Sequence, residues 1–233
     1  MIDTVIPPSL DPALEPLLLP LSEIDPCGPA IRYDPVFTEI RLAREEDDPS
    51  LPMRQWERPL KKADWPLIES LCRQTLSERS KDLQLAAWLA EAWTRQEGLR
   101  GFVRGLQLVR ALLERFWEPL HPRVEDGDAD ARVAPLEWLN QVISISMKVH
   151  VTFLPLTDRK PARITLADWE RLSLNELSAQ EENAAPSPKA AKGAKSAAKP
   201  AAENPEGPPL TRTDVIVNVR AHSLAVVRAQ LMH

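Results

Sequence analysis

Apolar residues recur along most of this chain at helical spacing, and prolines and glycines mark where the runs begin and end. The longest such stretch is Ser80 to Trp117. Leu85, Trp88, Leu89, Ala92 and Trp93 fall on one face of a first helix. Leu99, Phe102, Val103, Leu106, Val109, Leu112, Leu113 and Phe116 form a second apolar stripe. Ser80 is the expected N-cap, because a hydroxyl accepts from the free amides of a first turn. Gly98 is the expected left-handed residue that closes the first helix. A link this short predicts two helices folded back as an antiparallel hairpin at the centre of the domain.

Upstream, Asp11-Pro12 opens a short helix through Leu19, ended by Pro20. Turn signals follow at Asp25-Pro26 and Gly28-Pro29. Leu21, Ile24, Ile31 and Tyr33 are the apolar residues expected to pin this segment to the domain. Asp34-Pro35 starts a helix to about Glu46 that buries Val36, Phe37, Ile40 and Ala43. Glu45 to Asp48 form an acidic run, read as a solvated loop. Trp56 lies in a loop over 49–63. Asp64 caps a further helix carrying Leu67, Ile68, Leu71, Cys72 and Leu76, with its end near Arg79.

Downstream, Pro119 and Pro122 break the hairpin, and EDGDAD is a turn-rich acidic loop. Pro135 opens a helix with Leu136, Leu139, Val142, Ile143 and Met147 on one side. Residues 149–156 alternate as a strand does but have no evident pairing partner, so they are read as extended loop or a helix end. Thr165 to Asp168 resembles a capping box that starts a helix with Trp169, Leu172 and Leu174. Residues 179–209 hold no aromatic and no large aliphatic side chain, and such a chain cannot offset its ordering entropy. A flexible Ala/Lys/Pro-rich linker is expected there. Residues 210–233 form an amphipathic helix, expected to begin a second helical domain that is truncated in a fragment. The predicted organisation is an all-α domain over 1–178, built of antiparallel helical hairpins, then the linker 179–209, then this helix.

Composition narrows the function classes. The 233 residues carry a net charge of -5, which argues against a general nucleic-acid binder. The start lacks the basic and apolar regions of a signal peptide, and no window approaches a membrane span. The expectation is a cytoplasmic protein without membrane insertion. The two cysteines, Cys27 and Cys72, show no metal-ligand spacing, and neutral thiols are expected rather than a disulfide. Glu125, Asp126, Asp128 and Asp130 do not match an EF-hand, since Gly127 comes too early and the closing Glu is missing. His121 has no partner His or Cys nearby and reads as structural or surface. Asp82 and Glu91 are nine apart, so they do not stack as paired acids. G-x-S-x-G, Walker and H-E-x-x-H patterns are all lacking. No catalytic residue, cofactor site or metal site is assigned, and the residues alone do not identify an interaction surface. A helical module for some other protein partner, or an enzyme without a recognisable motif, stays open on the residues alone.

Four stretches together, in this order and spacing, resemble the ImpA-type N-terminal domain of the TssA family of type VI secretion proteins. They are LLLPLSEIDPCGPAIRYDPVFTEIRLAR (17–44), SERSKDLQLAAWLAEAW (77–93), GLRGFVRGLQLVRALLERFWEPLHPRVEDGD (98–128) and R-x-x-P-L-E-W-L (132–139). The resemblance implies a non-enzymatic, cytoplasmic assembly factor. It implies partners among the baseplate, sheath and tube proteins of a contractile secretion machine. It also implies self-association, with large rings made through a C-terminal region beyond this chain. The shared motifs do not identify contact residues.

Overall fold

The computed structural model describes residues 10–47, 60–155, 163–184 and 211–231. The fold is all-α, as expected. The chain divides into two compact units, residues 1–151 and 152–233.

The first unit opens with a 3-10 helix, Pro12–Leu18, whose N-cap Asp11 accepts from the Ala13 amide. Helix α1 spans Pro35–Arg44 and α2 spans Trp65–Glu78; Asp34 and Asp64 cap them as the sequence predicts. Helices α3 (Leu83–Glu97) and α4 (Leu99–Arg115) form the antiparallel hairpin. Helix α5 covers Asp130–Val149. Helices α2, α4 and α5 all pack on α3.

Helix α3 is not amphipathic between Leu85 and Thr94, because every residue there is buried. The single apolar face expected from spacing is therefore too narrow. Its polar members are satisfied locally: Thr94 Oγ1 donates to the Ala90 carbonyl, and Glu91 accepts from Arg44 Nε at 2.7 Å. Arg44 also stacks 4.6 Å from the Trp138 ring, so it bridges α1, α3 and α5. Arg104 lies 4.2 Å from the Trp93 ring, whose Nε1 donates to Glu69. Cationic groups over indole faces cover the ends of the buried aromatics that aliphatic side chains leave open.

Helix α4 packs through part of the expected stripe, with Val109, Leu112 and Phe116 buried and Phe102 and Leu113 partly so. Gly101, Gly105, Leu108 and Leu112 point inward, whereas Leu99, Val103 and Leu106 are exposed. A Cβ at Gly101 would stand 2.0 Å from the Trp93 carbonyl oxygen, and one at Gly105 would stand 2.5 Å from the Ala90 Cβ. The small residues set the approach of the two helices. Gly98 joins them with a φ of 66° and ψ of -134°. The positive φ is as expected. The ψ lies outside the left-handed helical region, in territory that a side chain disfavours. The α3 cap is Asp82, not Ser80, whose hydroxyl donates to the Pro29 carbonyl.

Other expectations are corrected as well. Ile24 and Tyr33 do not pin the N-terminal segment, being 98% and 96% exposed; Leu14, Leu17, Leu18 and Cys27 are buried instead. Glu45 and Glu46 are exposed, as expected of a solvated run, and also pair with Lys61 and Arg95. Helix α5 begins five residues before Pro135, with Asp128 accepting from the Asp130 amide; a proline this near the helix start removes a single ladder bond. Trp56 lies outside the described residues.

In the second unit, β1 (Thr152–Pro155) pairs antiparallel with β2 (Arg163–Thr165). The stretch read as extended loop or a helix end does begin with the last residue of α5, Val149, but from Thr152 it is a strand, and its partner is the short Arg-Ile-Thr run that the pattern did not mark. Helix α6 spans Leu166–Ala184, started by the expected box in which Thr165 and Asp168 bond reciprocally. The expected boundary at residue 178 falls inside α6. Of the expected linker, 185–209 lies outside the described residues. Helix α7 spans Arg212–Leu231 and opens on a second such box, Thr211 with Asp214. Val215 packs with Ile164, Trp169 and Leu172, so α7 has its own packing partner in this unit.

Gly101→Ala should destabilise the first unit by about 3 kcal/mol through forced helix separation. Leu108→Ala should cost about 2–5 kcal/mol, and the exposed Leu106→Ala about 1 kcal/mol or less. Urea unfolding followed by circular dichroism checks all three; equal losses for Leu106 and Leu108 would contradict the described α4 face.

Candidate functional site

The turn between α2 and α3, Arg79 to Asp82, carries charged residues into the interior. Lys81 is fully buried, and its Nζ donates to the carbonyls of Leu17 and Leu76 at 2.9 and 2.7 Å. Its backbone ties two further segments. The Lys81 amide donates to the Cys27 carbonyl, and the Lys81 carbonyl accepts from the His121 amide. The His121 carbonyl in turn accepts from the Leu83 amide, while His121 Nε2 lies 2.7 Å from the Gly28 carbonyl. Asp82 Oδ1 caps α3 at the Gln84 amide. Arg132, from α5, closes the arrangement. Its three guanidinium nitrogens donate to the carbonyls of Pro122, Trp117 and Leu120, and its plane lies 4.9 Å from the Trp117 ring.

These residues form a polar clasp that joins the N-terminal segment, the α2–α3 turn, the loop after α4 and the start of α5. Each donor finds a main-chain carbonyl, which is what a proline-broken loop needs when it is buried without secondary structure. Burial pushes the Lys81 amine down to about 8. Burial also raises the Asp82 carboxyl, opposed by the Gln84 amide. Cys27, beside the clasp, is pushed up to about 11 by burial and by Asp25, and burial raises Cys72 further. Both thiols are free, as expected.

Above the clasp lies an open cleft of about 790 Å³, lined by Pro29, Ala30, Arg32, Asp82, His121, Pro122, Arg123, Glu125, Asp126, Asp128 and Ala131. Of the acidic residues weighed as a calcium loop, Glu125, Asp126 and Asp128 line the cleft and Asp130 does not; no group able to hold a metal ion occurs among the described residues. The side chains of Asp82, His121 and Ser80 are all engaged with main-chain groups.

The motifs gathered by the clasp carry the relationship to known proteins. A family model described as ImpA, N-terminal, type VI secretion system matches residues 18–141, more than half of the chain. The chain belongs to this family. Over 127 residues it is 34% identical to the type VI secretion system component TssA1 of Pseudomonas aeruginosa, covering 53% of this chain and 36% of that protein. The chain therefore spans little more than a third of that relative's length. The solved N-terminal domain that includes the conserved ImpA_N region of the TssA component from Burkholderia cenocepacia is similar in fold. Its TM-score is 0.60 at 30% identity, over 73% of this chain and 61% of that one.

The ImpA-type match falls wholly inside the first compact unit. Within that unit a shallow apolar groove of about 710 Å³ runs between α1 and α2, lined by Tyr33, Pro35, Leu42 and Leu67 among others. Leu99, Val103 and Leu106 make a second apolar line on α4. Sequence reasoning missed both surfaces, because their residues sit at the same helical spacing as the core. It also gave Lys81 and Arg132 no role, since nothing local separates a buried cation from a surface one.

The clasp makes a pH dependence. Folded Lys81 loses its proton at about 8, below the 10.5 of an exposed amine. Between these values the unfolded chain binds more protons, so this group makes stability rise with pH. The buried thiols act oppositely: above the ordinary thiol value of 9.0 the folded chain holds more protons, and stability falls. The urea midpoint should climb from pH 8 to pH 9 and then turn down. Lys81→Met should remove the climb. A wild-type midpoint that is flat or falling over that interval contradicts a desolvated Lys81.

Proposed function

We propose that this chain is a non-catalytic adaptor and assembly module of the type VI secretion apparatus. In this reading it acts in the cytoplasm and engages baseplate and sheath-tube components to start or guide assembly of the contractile tail. The observation that carries the reading is the coincidence of the family match over residues 18–141 with a helical unit in which Lys81 and Arg132 of the shared motifs are committed inward. A side chain that donates to buried carbonyls holds the fold and leaves recognition to the surface. Two surface features support recognition of protein partners: the groove of Tyr33, Leu42 and Leu67, and the line of Leu99, Val103 and Leu106 on α4. Exposed large apolar side chains grouped in this way are typical of contact surfaces. No helix among the described residues is long and apolar enough to cross a membrane.

In bacteria with a working type VI system, a version of the parent protein without residues 1–151 should fail to support sheath assembly at wild-type protein level. Fluorescent sheath imaging reads this directly. Normal numbers of extending and contracting sheaths in that strain would contradict the adaptor role.

A further inference from the structure

The cleft above the clasp differs from the rest of the charged surface in three respects. Its deepest members, Asp82 and His121, are each 4% exposed and are fixed by hydrogen bonds to the α3 amide ladder and to the Gly28 carbonyl. Its walls include the apolar Pro29, Ala30, Pro122 and Ala131. Its volume lies within the range of ordinary ligand clefts, on the order of 300–1,000 Å³. Charges of both signs also stand around this space, and Arg32 acts through space on the Asp82 carboxyl. Arg32, Glu125 and Asp126 make no side-chain hydrogen bond or ion pair among the described residues, and Arg123 comes only within 3.8 Å of Asp25. Asp82, by contrast, is occupied as the cap of α3, and Asp128 accepts from the Asp130 amide at the start of α5.

We propose that this cleft binds a short extended peptide segment that presents a basic and an acidic side chain from the same side of its backbone. In an extended chain, residues two apart point the same way, so a basic-x-acidic spacing brings both charges into one cleft. Glu125 and Asp126 receive the basic group, and Arg32 receives the carboxylate. The apolar walls pack the intervening residue. The floor needs no rearrangement, because the clasp already holds it, and a preorganised site loses little on ordering. This site deepens the adaptor reading and rests on it, naming one place where a partner's segment docks. The peptide titration reads the cleft alone, so its failure would leave the sheath phenotype of the deletion standing.

The test is an NMR titration of the isotope-labelled chain with acetyl-Ala-Arg-Ala-Glu-Ala-amide. Peptides with both charges replaced by Gln, with two Arg, and with two Glu serve as comparisons. The mixed peptide should give saturable shifts at the amides of Arg32, Arg123, Asp126 and Ala131. Each single-sign peptide should bind about threefold more weakly or worse, the size expected for loss of one partly exposed ion pair. Glu125→Gln with Asp126→Asn should abolish the preference for Arg, and Arg32→Gln the preference for Glu. If either variant loses its dispersed spectrum, the other decides. Shifts that do not saturate, equal binding of the Gln peptide, or a two-Arg peptide binding as tightly as the mixed one would overturn the proposal.

Discussion

Helix α3 has no solvent face from Leu85 to Thr94, and the first unit is arranged to satisfy that condition. A helix enclosed on all sides needs cover in every direction and a partner for every polar atom. Helix α4 covers one side closely because Gly101 and Gly105 allow it, while α2 and α5 cover others. Glu91 would be an uncompensated buried charge without Arg44, and Arg44 reaches it only because Trp88 and Trp138 form an aromatic seat for its guanidinium. Breaking such a pair is costly even where the intact pair adds little net stability.

The same enclosure explains the clasp. The segments that enter and leave the hairpin are broken by Pro26, Pro29, Pro119 and Pro122, so their carbonyls lack regular partners. Arg132 supplies donors to three of those carbonyls, Lys81 donates to the carbonyls of Leu17 and Leu76 near the ends of two helices, and His121 adds a bridge to Gly28. Three of the four stretches that resemble the family, and Arg132 of the fourth, meet here. Much of the family pattern is therefore a requirement for holding loops on α3. The surfaces proposed for recognition are those the clasp leaves free: the cleft walls, the α1–α2 groove and the outer line of α4.

Local chemistry was legible in the sequence. The caps at Asp34 and Asp64 and the box at Thr165 each depend on residues a few positions apart, and the structure has them where they were expected. The hairpin at Gly98 was legible for the same reason. Burial that depends on distant partners was not. Leu106 and Leu108 are alike in sequence, and only the glycines facing α3 make Leu108 the buried one. Ile24 and Tyr33 were counted among the apolar anchors, yet both are exposed. The β1 strand was set aside for want of a partner that lies about ten residues on. The cleft was visible only as an acidic run, because its other walls come from residues 29–32 and from Asp82.

The central claim is that the clasp belongs to the cooperative core although its segments are loops. Native-state hydrogen exchange tests it most directly. The amides of Lys81, Leu83 and His121, which bond across the clasp, should exchange only through the same global opening that exposes Leu89 and Ala90 in α3. Exchange of those three amides through a local opening, orders of magnitude faster than α3 and insensitive to denaturant, would contradict the account.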